Sequence, residues 1–470
     1  MYIAKHLFLP LRKCPMRSLA SVLLMLSIML CAGVAPATAQ TTFSPEEKER
    51  LAASVREEFA HAWSGYKKYA WGHDALLPLS KKGFNWYRDP LLIAQIDALD
   101  TMIMMGFKAE ADSTREYILT HLSFDHDMFV KAFEINIRLL GGLLSSYQLT
   151  GDERFLKLAR DLGDRLIPIF KSPSGLPYVE VNLRTGAVRG TKTNPAEIGT
   201  YLIEFGTLSR LTGEAKYYNY AKYALLNLYE RRSDLGLYGD GIDCVTGEWT
   251  GTDSHISACI DSFFEYLVKG ALMFEDLDCL TMWREAYVAL NTYVADSTAS
   301  GLWYGKVNMN TGVRTATVTG ALDAFYPAVL SLAGDVKQAV DMQESFFTMW
   351  KRHGLEPAEF DYTTMKAVKP AYYLNPEIME SAFYLYRATG DQRYLEMGKV
   401  FLDSLKTHCR TDAGYAELKS VITKEKMDRM ETYFLAETLK YLYLLFASEN
   451  TVNLDGVFFT TEAHPLRKTW

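Results

Sequence analysis

Cysteine is scarce in this chain. Six occur in 470 residues, and no two form a Cys-x-x-Cys pair. Two of them, Cys14 and Cys31, precede residue 40, which leaves Cys244, Cys259, Cys279 and Cys409 for the rest. That spacing argues against a zinc ribbon, a dithiol redox motif or a disulfide-framed small fold. An excess of basic charge is also missing. Fifty Lys and Arg stand against fifty-seven Asp and Glu, for a net charge of −7, so neither nucleic acid nor an anionic lipid surface is an expected partner. No G-x-S-x-G elbow, Walker loop or H-E-x-x-H helix occurs, which removes the common serine-hydrolase, nucleotide and zincin signatures. The acidic run Gly239–Asp243 lacks the twelve-residue register of an EF-hand and reads as a turn. No Asn-x-Ser/Thr acceptor is present, a weak pointer to a bacterial exported protein.

The amino terminus is built differently from the remainder. Lys5, Arg12, Lys13 and Arg17 precede the apolar run Leu19–Leu30, no acid occurs before Glu46, and small residues stand at Ala37 and Ala39. This is the pattern of a cleavable signal peptide over residues 1–39. The apolar run is short for a membrane span, which needs about 20 residues. Export to a periplasm or the exterior is therefore expected, with no stable membrane anchor. No long Pro/Gly/Ser tract interrupts residues 45–465, so residues 40–470 read as one domain.

Within that domain a turn pattern recurs. It reads LTGDERF around Gly151, LTGEAKYY around Gly213, LAGDVKQ around Gly334 and ATGDQRY around Gly390, at steps of 62, 121 and 56. Each copy joins two apolar helical runs, such as Ile135–Tyr147 to Phe155–Ile169. The Gly suits a helix C′ position and the following acid a helix start. Longer glycine-containing loops around Gly175, Gly236, Gly301, Gly354 and Gly414 separate the pairs. A unit of about 60 residues repeated over the domain predicts roughly seven helix pairs. An open superhelix would need capped ends. A closed toroid would instead bury its inner helices nearly all round and gather the long loops at one end. We favour the toroid.

The strongest chemical signal is an acid near the start of each predicted inner helix: Glu134, Glu197, Asp261, Asp323, Glu377 and Glu431, at steps of 63, 64, 62, 54 and 54. A helix N-terminus favours any one acid by about 0.3–1 kcal/mol, but that does not explain six in one phase. Several have apolar neighbours, as in Ala132-Phe133-Glu134-Ile135 and Cys259-Ile260-Asp261. Converging carboxylates strain one another and split their pKa values. Glycoside hydrolysis uses that arrangement, with one protonated acid and one ionised base. A hard cation with oxygen ligands, such as calcium, would relieve the remaining charge.

At these residues the sequence resembles the class I α-mannosidases, glycoside hydrolase family 47. The resemblance is carried by YAWGHD (Tyr69–Asp74), IDALDTM (Ile96–Met102), FEINIRLLGGLLSSY (Phe133–Tyr147) and DSFFEYLVK (Asp261–Lys269). It continues through PEIMESAFYLYRATGD (Pro376–Asp391), ETYFLAETLKYLYLLF (Glu431–Phe446) and FTTEAHPL (Phe459–Leu466). It implies an all-α fold, an (α/α)7 barrel of helix hairpins with short β-hairpin loops at one end. It implies inverting, calcium-dependent exo-hydrolysis of α-1,2-linked mannose from α-mannosides or high-mannose glycans. Glu134 falls at the family's general acid, Glu377 at its general base and Asp261 at its third catalytic carboxylate. Thr461 falls at the calcium-binding threonine. Arg138 matches an arginine beside the acid, and Glu197, Glu380, Glu431 and Glu462 match acids that hold the sugar or calcium-bound waters. Asp323 is grouped with these substrate-binding residues. A monomer is expected. The chain departs from the family at Asn375 and Cys259, where arginine is frequent, and at Ala324, where histidine is frequent. Linkage and branch preference therefore stay open. Two other readings are a non-catalytic mannose-binding protein of the same fold and another helical-toroid enzyme such as an epimerase or glucosidase.

Overall fold

A computed structural model describes residues 43–470; the proposed leader over residues 1–39 lies outside them. Among the described residues no helix is long and apolar enough to cross a membrane.

The helices alternate between two concentric layers. The outer layer comprises α1 (Pro45–Tyr69), α3 (Lys108–His121), α5 (Glu153–Leu166), α7 (Lys216–Tyr229), α9 (Leu277–Ala289), α11 (Val336–His353) and α13 (Arg393–His408). The inner layer comprises α2 (Ile93–Met104), α4 (132–150), α6 (195–212), α8 (Asp261–Phe274), α10 (321–333), α12 (Glu377–Thr389) and α14 (434–446). Each inner helix packs against the next, and α14 packs back against α2, so seven inner helices close a ring. The earliest helix, α1, packs on α14 and completes the outer layer. This is the toroid expected from the repeat.

The tight turns follow the sequence reading closely. Gly151, Gly213, Gly334 and Gly390 all adopt left-handed backbone with φ between 69° and 97°, as C′ glycines do. Asp152 and Asp335 then cap the next helix through their side chains. The double step of 121 hides a further turn of the same kind. There Glu275 takes the left-handed position with φ 56°, and Asp276 caps α9 through the Cys279 and Asp278 amides. An ordinary side chain in that backbone conceals the repeat from a search keyed on glycine. Gly106, between α2 and α3, supplies another at φ 78°.

The long loops form a stitched collar at the N-terminal end of the inner helices. The strand entering α4 (Phe129–Lys131) pairs with a hairpin from the next loop (Glu180–Asn182 and Val188–Arg189). The same three-strand pattern recurs with Lys192–Thr193, with Asp253–Ser254 and with Val318–Thr319, each ahead of the next inner helix. Each loop is therefore tied to its neighbour, which fixes where every inner helix begins.

The opposite end of the ring is closed by a C-terminal hairpin, Val457–Phe459 paired with Pro465–Arg467. Its tip runs into the barrel axis. Lys440 of α14 donates to Ala463 O at 2.6 Å, and the Thr461 amide donates to the Tyr266 hydroxyl of α8 at 3.3 Å. His464 passes α4 at its paired glycines: a Cβ on Gly142 would lie 2.5 Å from Ile96 and 3.1 Å from His464. Bulk is excluded there by Ile96 of α2 and by the hairpin's His464.

Inner helices apolar nearly all round are expected from the sequence, and the structure departs from that. They bury Asp97 and Asp100 on α2, Glu204 on α6, Glu265 and Lys269 on α8, Glu380 on α12 and Lys440 on α14. Several of these groups are paired with buried cations. Lys440 and His464 both bond Asp100, each at 2.7 Å, and Lys269 pairs with Glu265. Breaking one member leaves a charge buried alone, which costs about 3–5 kcal/mol. Lys440→Met leaves Asp100 with His464 as its remaining cation and is expected to lower the free energy of urea unfolding by about 1.5–3 kcal/mol, the worth of one charged hydrogen bond; a loss below about 0.5 kcal/mol would mean that water reaches Asp100.

Candidate active site

The collar and the hairpin tip enclose a cavity of about 830 Å³ that opens at the collar end. Four inner helices and the hairpin line its inner part: Glu134 with Arg138 from α4, Asp261 with Glu265 from α8, Glu377 with Glu380 from α12, Glu437 from α14, and Thr461 with Glu462 from the tip; the loops add Asp240, Glu359, Glu417 and Glu431. In the ring, α4 and α12 stand three helices apart one way and four the other, so Glu134 and Glu377 face each other across the axis.

Arg138 organises the α4 side. Its guanidinium donates to Glu134 at 3.1 Å and to Glu462 at 2.5 Å. It lies between the rings of Trp86 and Tyr433, with centroids at 5.1 and 5.6 Å. Two carboxylates and two ring faces hold a charge that burial alone would penalise. The surrounding helix, 135–140, is π-helical. A widened turn of this kind shifts side chains off the ordinary α-helical register.

The opposite wall is short of donors. Glu377 opens α12, where the helix N-terminus favours a negative charge. Asn375 Nδ2 donates to its Oε1 at 3.3 Å, while Oε2 is buried without a partner. Burial pushes the Glu377 carboxyl well above its ordinary range. Burial also raises Asp261 to about 7 against the pull of the Ser262 amide, and Glu265 and Asp323 add to the rise. The Tyr441 hydroxyl donates to Glu380 at 3.1 Å, and Lys269 lies 3.9 Å away, yet burial still lifts Glu380 to about 8. Glu462 rises to about 7 for the same reason despite Arg138. The cavity thus holds more carboxyl groups than its cations can keep ionised.

The sequence-predicted residues do not all meet here. Glu134, Arg138, Asp261, Glu377, Glu380, Glu431, Glu462 and Thr461 line the cavity. Glu197 does not. It sits on the short turn Pro195–Gly199, where it pairs with Lys131 at 2.8 Å and accepts from Thr193. Asp323 lies behind the wall formed by Ala321 and Leu322, buried on a 3-10 turn. Glu431 precedes α14 and is paired with Arg429 at the rim. The deep acid on that helix is Glu437, in the π-helical turn Phe434–Thr438. Glu437 stands 60 residues after Glu377 and Glu431 stands 54 after it, so a repeat of about 60 residues points to Glu437 as readily as to Glu431. Glu265 was also missed, although it stands one turn after Asp261 and its i, i+4 spacing was available. No three His, Cys, Asp or Glu among the described residues converge closely enough to hold one metal ion directly. The four cysteines of residues 43–470 are free.

The raised carboxyls carry a stability consequence. In an unfolded chain they titrate near pH 4; folded, Asp261, Glu462, Glu204 and Glu380 titrate between about 7 and 8. The folded protein binds more protons between those values, so stability falls as pH rises through them. His464, raised to about 9 by Asp100, acts in the same direction above its unfolded pKa. With EDTA present, the thermal midpoint is expected to fall from about pH 5 to about pH 8. A flat profile would show that these carboxyls remain hydrated and ionised in the folded state.

Comparison with known proteins agrees with this site. The model of Glycosyl hydrolase family 47 matches residues 58–468. The chain is 36% identical to Alpha-mannosidase I MNS5 of Arabidopsis thaliana, over 90% of this chain and 78% of that protein. It is 37% identical to ER degradation-enhancing alpha-mannosidase-like protein 2 of Mus musculus, over 88% of this chain and 77% of that protein. Its fold superposes on the alpha-1,2-mannosidase from Trichoderma reesei with a TM-score of 0.83 and 27% identity, covering 89% of this chain and 99% of that one. These relatives are eukaryotic and lend nothing to the bacterial origin expected from the missing glycosylation acceptors. A match over nearly the whole ring, together with paired carboxyls across its axis, makes this chain a glycoside hydrolase belonging to glycosyl hydrolase family 47.

Proposed function

We propose that the protein is an exported, calcium-assisted, inverting exo-α-1,2-mannosidase that releases terminal mannose from α-mannosides or high-mannose glycans. The observation that carries this reading is the shape of the acidic cavity: carboxyls on opposite walls, and a base closed by the C-terminal hairpin. A chain end can enter such a cavity, whereas a continuous chain cannot pass through it. The α-1,2 linkage is taken from the named activity of the Trichoderma reesei protein.

Inversion needs an acid and a base far enough apart to admit a water. Glu377, aided by its helix N-terminus and by Asn375, takes a proton from that water as its oxygen bonds to the anomeric carbon. The glycosidic carbon–oxygen bond breaks, and the leaving oxygen receives a proton delivered from the Glu134 side. Because Glu134 already accepts from Arg138, a bridging water suits this delivery. Asp261, which retains a proton near neutrality, stands beside the same space.

The floor suits a hard cation held largely through water. Thr461 at the hairpin tip carries a hydroxyl and a carbonyl that would hold the ion, and the carboxyls of Glu380, Glu437 and Glu462, which line the same cavity, would take its bound waters. Calcium there would supply positive charge that orients sugar hydroxyls and favours ionised carboxylates.

Four measurements test this. A mannobiose panel with calcium should show release from the α-1,2 isomer; no release from any isomer would favour a glycan-binding role. Glu134→Gln should lower kcat by about 10²–10⁴-fold while mannoside binding persists, and unchanged turnover would remove Glu134 from the mechanism. NMR of the first-formed sugar should show β-mannose, whereas α-mannose would contradict inversion. Thr461→Ala should move the calcium titration of activity to higher concentration; a superimposable curve would place the ion elsewhere.

A further inference from the structure

Behind Glu377 lies a carboxyl group that the scheme above leaves without a role. Glu356 follows α11, ahead of the strand Glu359–Asp361, and is completely buried. Its turn is clamped from two sides. The Ala321 amide donates to Pro357 O at 3.2 Å, and the Ala358 amide donates to Ala371 O at 2.7 Å. These contacts seat Glu356 between the start of α10, which carries Asp323, and the segment that leads into Glu377.

Neither carboxyl oxygen of Glu356 has a hydrogen-bond partner. Around it, Glu377 Oε2, Asp323 Oδ2 and Asn375 Oδ1 also lack a donor. The titratable groups that act on Glu356 are Glu377 from α12, Asp323 from α10 and the Tyr372 hydroxyl from the segment before α12. That hydroxyl is already committed to Asn375 O at 3.2 Å. No cation is among these neighbours. Buried acceptors without donors are costly, and neighbouring buried carboxylates do not all ionise. Retaining a proton turns one of these acceptors into a donor. Burial, with Glu377 and Asp323 adding to it, holds the Glu356 carboxyl well above its ordinary range.

We propose that Glu356 is a positioning residue: a neutral carboxylic acid that donates a hydrogen bond, directly or across one water, to the open oxygen of Glu377. Asn375 already serves the other oxygen, so the two donors together favour the ionised form against the burial that opposes it and aim the side chain into the cavity. A donor to the charged form favours that form. This role rests on the reading of Glu377 as the general base.

The test compares Glu356→Gln, which keeps a donor, with Glu356→Leu, which removes it. In Glu356→Leu the acidic limb of the kcat/KM profile should move up by about one pH unit, and kcat should fall while KM for the mannoside changes little. Glu356→Gln should restore both. An acidic limb in Glu356→Leu that superimposes on wild type would overturn the proposal. Infrared difference spectra supply a readout independent of turnover: wild type minus Glu356→Gln at neutral pH should contain a carboxylic-acid carbonyl band. Its absence would show Glu356 ionised and would equally defeat the idea. If the wild-type protein hydrolyses no mannoside, the base assignment is what has failed, and this band then decides where the proton resides.

Discussion

The dominant constraint on this structure is the cost of burying carboxyl groups inside a closed ring. Seven closely packed inner helices bury most of the side chains they carry, yet nearly every one of them bears an acid. At the hairpin end the problem is answered with cations: Lys440 and His464 on Asp100, and Lys269 on Glu265. Arg138 bridges Glu134 and Glu462 higher up. Beyond Arg138, toward the collar, acids outnumber cations, and the remaining carboxyls rise in pKa instead. Framework and chemistry are thus two regimes of the same electrostatic problem.

The C-terminal hairpin joins these regimes. It fills the axis at one end, and its tip supplies Thr461 and Glu462 to the cavity floor. Its approach depends on the paired glycines of α4, and its anchors come from α2, α4, α8 and α14. Residues near the end of the chain therefore cannot settle until helices from its beginning are in place. The collar does the equivalent work at the open end, where each loop lends a hairpin to the strand entering the previous inner helix. The cavity walls are cross-braced from both ends, which is what a site needs if its carboxyls must keep their separation.

The linear pattern revealed the helix pairs, the turns between them and the closed ring because those features are local. A C′ glycine followed by an acid needs only its neighbours. It failed at Glu275, where an ordinary residue takes the left-handed turn. Equal spacing of acids located Glu134, Asp261 and Glu377, each near the start of an inner helix. Of the others, Glu431 also lines the cavity, beside Arg429, while Glu197 pairs with Lys131 outside the lining.

What the sequence alone determined is the repeat, the handover from one helix to the next, and the acidic character of the helix starts, since all are written in short-range chemistry. Which acids share the cavity was decided by the tertiary structure. A π-turn carries Glu437 into the cavity wall, a clamped turn buries Glu356, and a hairpin from far along the chain delivers Glu462. Depth in a ring and the surrounding charge depend on every helix at once, and no interval along the chain encodes them.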